Sequence, residues 1–158
     1  MVERLDKRDY HYSHRHRLYG EKTYMFDIDF VEFDGLKPVL AGDLKHGQLK
    51  ELDPNSYQFR CYNSLFTCPV IALVYWFLGE TNNILESDDT ISKVFHTQYY
   101  AVPINNAAKK ILENKPQRIT EWDWVRFLHK LRHKPVSAEL KKEDFSTTWK
   151  EVRLPTIK

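Results

Sequence analysis

The sequence predicts an α/β fold: a three-layer sandwich with a central mixed β-sheet flanked by helices. Three observations carry that expectation. Residues 24–33 and 38–46 read as two strands, and "DGLKP" between them is loop chemistry. "PVIALVYWFL" (69–78) is apolar on both alternating faces, as a strand covered on both sides should be. After Thr120, "EWDWVRFLHKLRHK" places Trp124, Leu128 and Leu131 in a stripe at helical spacing.

The elements follow in order. Residues 1–19 are polar, basic and rich in His and Tyr, and read as a first helix and a loop. The two strands come next. "ELDPNSYQFRCYNSLF" (51–66) reads as a loop and a helix, with the Asp-Pro-Asn-Ser cluster as the helix start. The apolar strand 69–78 is followed by a polar loop, "GETNNILESDD". "HTQYYAVPI" (96–104) is a further strand, with Pro103 marking its end. Asn105 or Asn106 caps a short helix, "AAKKILENK". Thr120 starts the last helix, with Asp123 at capping-box spacing, where Glu or Gln is the commoner choice. Past Pro135 the chain is charged and has no period, which leaves it either wrapped on the body or partly mobile. The predicted order is helix, strand, strand, helix, strand, strand, helix, helix.

At 158 residues the chain reads as one domain, 1–158, with a tail from about 135 that is extended or wrapped. Its 4 Trp, 9 Tyr and 9 Phe argue for a folded chain rather than a disordered one. With 24 Lys/Arg against 22 Asp/Glu, any surface for nucleic acid must be a local patch. The N-terminus is charged from its third residue, so no secretory signal is expected. No apolar run is long enough to span a bilayer, so no membrane partner is expected. Cys61 and Cys68 fit no zinc or redox spacing and read as reduced, packed thiols of a cytoplasmic protein. No phosphate-cradling glycine loop, GxSxG elbow or HExxH is present.

The acids of the hairpin need explaining. Placing Phe33 opposite Val39, with 34–38 as the loop, puts Asp29 opposite Asp43 and Asp27 opposite Lys45. All four polar groups then share one face. Two opposed carboxylates on a partly buried face repel, and a divalent cation relieves them. Hard oxygen ligands suit Mg²⁺ or Mn²⁺. The simpler alternative is a solvated face with an Asp27–Lys45 ion pair.

"DIDFVEFDGLKPVLAGDLK" resembles the core of the PD-(D/E)XK nuclease superfamily, the restriction-endonuclease-like fold, in which one strand carries an Asp and the next carries (D/E)xK. The chain also resembles small phage and bacterial members with "HRxWG", "DIDF", "KPV" and acid-x-Lys; here the first element is "HRLYG" (16–20), and Ile28 stands where the family has Pro. "QFRCY" (58–62) resembles the QxxxY signature of RecB-type nucleases, and its i, i+4 spacing puts Gln58 and Tyr62 on one helix face. The alternative for that pair is a polar helix edge with a core Tyr.

The resemblance implies a Mg²⁺- or Mn²⁺-dependent nuclease that hydrolyses phosphodiester bonds, with DNA as the expected substrate. It implies Asp29, Asp43 and Lys45 as catalytic residues. The metal would be held by Asp29, Asp43 and the Leu44 carbonyl, with Asp27, Gln58 and Tyr62 in support. Arg15 and Arg17 are the candidate phosphate contacts. The expected compartment is the cytoplasm, a host's if the chain is phage-encoded. The oligomeric state is open, a homodimer included. The rival is a weakly active or inactive nucleic-acid-binding or inhibitory protein on the same fold.

Two basic features remain. His11, His14 and His16 lie close together, but no Cys or spaced His pair completes a zinc set. "RFLHKLRHK" (126–134) has one apolar and one basic side, which reads as a solvated helix face or a nucleic-acid surface.

Overall fold

The structure, a computed structural model, describes residues 28–47, 50–78 and 96–158. The expected first helix, the "HRLYG" element, the His11–His16 cluster, Arg15, Arg17 and Asp27 lie outside the described residues.

Five strands form one mixed sheet: β1 (Phe30–Asp34), β2 (Lys37–His46), β4 (Val70–Phe77), β5 (Thr97–Pro103) and β6 (Gln117–Thr120). Their spatial order is β1-β2-β4-β5-β6. Within this sheet β2 and β4 run parallel and the other neighbours antiparallel, and helix α1 (Tyr57–Leu65) makes the crossover between β2 and β4. The strand expected over 69–78 is central, as its two apolar faces require. Its alternation splits the core in two. Val70, Ala72 and Val74 pack with Ala41, Val102 and the Phe59 and Tyr62 rings of α1. Ile71 and Leu73 pack on the opposite face with Leu40, Ala101 and two further helices, α2 (Asn106–Ile111) and α3 (Glu121–Leu131).

Each of these three α-helices starts where the sequence offers a side-chain acceptor. Ser56 Oγ accepts from the Phe59 N–H at 3.5 Å. Of the two candidate asparagines, Asn105 is the cap: its Oδ1 accepts from Ala108 N and from Val70 N, and its Nδ2 donates to Cys68 O. It therefore ties α2 to the start of the central strand. Thr120 Oγ1 accepts from Asp123 N and donates to Asp123 Oδ2 at 2.8 Å, so the Asp closes the cap reciprocally.

Several expectations need correction. The hairpin loop is two residues, Gly35 and Leu36, rather than 34–38. Phe33 pairs with Pro38 instead of Val39, because a bulge between Glu32 and Phe33 absorbs one residue of β2. Gly35 has φ 59°, which a two-residue hairpin turn demands and glycine supplies without strain. β1 begins at Phe30, so residues 28–29 are not strand. The helix read over "AAKKILENK" stops at Ile111, and Glu113 and Asn114 turn it with positive φ. The last helix stops at Leu131, before His133 (φ 50°). Three short strands carried too little pattern to be read: β6, β3 (Glu51–Leu52) and β7 (Thr156–Ile157).

The charged tail wraps the body. β7 pairs in parallel with β3. Buried Gln98 donates from Nε2 to Lys150 O and accepts at Oε1 from Lys150 N, both at 2.8 Å, so its amide replaces a strand partner for the tail. Trp149 meets Trp76 edge to face. Among the described residues, no helix is long and apolar enough to cross a membrane.

Candidate active site

Beyond the bulge, β1 and β2 pair in one register: Val31 with Ala41, and Phe30 with Gly42. One further step brings Asp29 beside Asp43. There β1 has ended, and the Asp29 side chain takes over as partner: its Oδ2 accepts from Leu44 N at 2.8 Å. On β2, Ala41 N donates to Pro69 O and Gly47 N donates to Tyr75 O, so the odd-numbered residues direct their backbone groups toward β4. Leu44 faces the other way. By strand geometry its carbonyl points to the same side as its N–H, toward Asp29.

Side chains alternate with the same period. Asp43 and Lys45 share the face of Ala41, which α1 covers. Asp43 is 2 % exposed. Gln58, in the first turn of α1, donates from Nε2 to Asp43 Oδ1 at 3.1 Å and to Tyr62 Oη at 3.1 Å. The i, i+4 spacing thus brings both side chains to the site. Lys45 forms an ion pair with Asp43 Oδ2, an oxygen that is buried and has no hydrogen-bond donor of good geometry among the described residues.

Burial pushes the Asp43 carboxyl up to about 6 from 3.8, the adjacent Asp29 carboxyl adds to the rise, and Lys45 opposes it. The net direction is decisive. One lysine does not offset burial and a neighbouring acid, so a carboxylate at Asp43 is held at a cost. The residues suit a divalent cation in that respect. Two adjacent carboxylates and the nearby Leu44 carbonyl offer hard oxygen donors, and Mg²⁺ commonly completes its shell with water. Among the described residues, no group of three or more His, Cys, Asp or Glu side chains could hold a metal ion. A cation here would rely on the two acids, the backbone and water.

The structure brings together Asp29, Asp43, Leu44, Lys45, Gln58 and Tyr62, while Asp27, Arg15 and Arg17 lie outside the described residues. One residue that sequence reasoning passed over closes the strand after Lys45. Gly47 O accepts from Trp76 Nε1 at 3.2 Å, and the indole occupies the space a Cβ on Gly47 would need. A glycine two residues past the lysine, at a strand end, was the available signal. In comparisons with family models, curated proteins and solved structures, nothing matches the chain.

Proposed function

We propose that the protein is a metal-dependent nuclease of the PD-(D/E)XK type, with a restriction-endonuclease-like fold, acting on DNA. The observation that carries this reading is the buried Asp43 carboxyl set between Asp29, Lys45 and Gln58. A structural role explains an ion pair but not a second acid placed against the first.

Asp29, Asp43 and the Leu44 carbonyl would hold Mg²⁺ or Mn²⁺. When bound, the cation supplies Lewis acidity toward a phosphodiester and acidifies water. Lys45 donates to a phosphate oxygen and stabilises the negative charge that grows there during attack. To do so it exchanges its Asp43 contact for substrate, which a cation on Asp43 favours by neutralising the acid. Gln58 holds Asp43 Oδ1, and Tyr62 holds the Gln58 amide, so the acid keeps its orientation. Asp43, Leu44 and Lys45 belong to β2 and Gln58 and Tyr62 to α1, while Asp29 lies just before β1 and is tied to β2 through the Leu44 N–H.

A second reading is an inactive nucleic-acid-binding or inhibitory protein on the same fold. The direct Asp43–Lys45 ion pair favours it, because that pair already answers part of the acid's charge. One experiment separates the two: labelled circular and linear DNA and RNA, incubated with Mg²⁺ or Mn²⁺. Cleavage that Asp43→Ala and Lys45→Ala both lose supports the nuclease. Binding without cleavage under either metal supports the second reading.

A further inference from the structure

The charge of this chain is unevenly distributed. Between Asn105 and Val136 it carries eight Lys/Arg against three Asp/Glu, whereas the whole chain carries 24 against 22. The remainder is therefore net acidic in sum, and this stretch carries the largest basic excess. That stretch contains α2 and α3, which cover the sheet face opposite the one bearing Asp43.

Three of the eight, Arg126, Lys130 and Lys134, line a groove of about 450 Å³ along α3 together with Asp123, Phe127, His129 and Val136. Arg126 and Lys130 are four residues apart, so they stand on one helix face about 6 Å apart along the axis. Both are exposed, as are Lys109 and Lys110 of α2 in the same layer. The acids in reach are few. Asp123 contacts Arg126 at 3.5 Å, and Asp34 contacts Lys134 at 3.1 Å. His129 Nδ1 lies 3.0 Å from Pro135 O, which fixes the ring at the groove wall. Cations outnumber acids in the groove itself.

We infer that this groove is a docking surface for the phosphate backbone of a nucleic acid, separate from the Asp29–Asp43 site. Closely spaced cations on a concave wall match a polymer that carries a charge at each short step. A lipid surface fits less well. An interfacial helix needs an apolar face to insert, and Trp124, Phe127, Leu128 and Leu131 of α3 are already packed on the sheet. The large exposed apolar residues, such as Phe33, Leu36 and Leu65, lie on neither α2 nor α3. The inference does not rest on the catalytic reading, because backbone docking needs no metal and no cleavage.

The test is binding of a fluorescent DNA oligonucleotide, in chelator, across a salt series. The wild type is compared with Arg126→Gln/Lys130→Gln and with a control of equal charge change, Lys141→Gln/Lys142→Gln. Thermal melts check that all three are folded. The groove variant should bind on the order of tenfold more weakly near 0.1 M salt, and its slope of log affinity against log salt should fall by about 2. The control should match the wild type. The inference is overturned if the wild type does not bind, if the groove variant keeps its affinity and slope, or if the control loses as much. Binding to phosphatidylserine vesicles without binding to DNA also overturns it, in favour of a membrane surface. Cleavage assays on the same variants are read separately, so the failure of one reading leaves the other standing.

Discussion

Asp43 is the residue on which the proposed function rests. It is buried, it stands against Asp29, and its carboxyl is pushed up to about 6. Asp43→Ala and Lys45→Ala are each expected to abolish cleavage while leaving the protein folded. The measurement is nuclease activity beside a circular dichroism melt, and wild-type cleavage by either variant would remove both from the site. Asp29→Asn should eliminate activity, and Asp27→Asn should lower it only modestly. The reason is that the Asp29 carboxyl is anchored on the Leu44 N–H next to Asp43. The opposite ranking would mean that Asp27, outside the described residues, is the first acid.

At the scale of elements, the hairpin has little freedom. Gly42 sits in β2 immediately before Asp43, and a Cβ there would stand 2.5 Å from Ile71 O and 2.7 Å from Phe30 Cζ. The first of these is backbone in the neighbouring strand and cannot rotate away. Gly42→Ala should therefore cost about 1–3 kcal/mol, read as a lower midpoint in urea. Cleavage should fall with it, since the strand that carries both Asp43 and Lys45 must shift. The C-terminal strap is a second such element. Gln98→Leu leaves the Lys150 N–H and carbonyl without their buried partner, at a cost of about 1–3 kcal/mol. A melt unchanged by that substitution would show that the tail is held by β7 and Trp149 instead.

For the whole molecule, the acid pair predicts how stability responds to pH and metal. A carboxyl with a raised folded pKa keeps its proton in the folded state where the unfolded chain has already lost it. The stabilisation from Asp43 is therefore greatest near and below pH 4 and is lost as pH rises to about 6. Asp43→Asn should flatten that part of the profile and raise the melting temperature of the metal-free protein at pH 7. Mn²⁺ acts in the opposite direction. At about 100 times its dissociation constant it adds roughly 2.7 kcal/mol, a rise on the order of 5 °C for a chain of this size. The Mn²⁺ shift should shrink below pH 6, where the proton competes for Asp43, and vanish in Asp43→Asn. Melts of both proteins in chelator and in millimolar Mn²⁺ test this. A shift that survives in Asp43→Asn would place the metal elsewhere, with the His11–His16 cluster next to be examined.

By itself the sequence determined the α/β class, the central strand and the helix starts, because these depend on local signals. Alternation at 69–78, the Asn105 and Thr120 side chains and the Trp124–Leu131 stripe act within a few residues of where they are written. The candidate site was legible for a similar reason: Asp43 and Lys45 share a face by strand period alone, and Gln58 and Tyr62 by helix period. Tertiary structure decided what depends on partners remote in the chain. The Glu32–Phe33 bulge sets which hairpin residues oppose each other near the turn, and neither strand announces it. β6, β3 and β7 are two to four residues long, too short for a period to show, and each exists because a neighbouring strand is there to pair with it. The tail was open between wrapping and mobility until Gln98 and Trp76 supplied its contacts. Burial of Asp43 belongs to this second group too. Its charge is written in the sequence, but the loss of water that raises its pKa comes from α1 closing over the sheet.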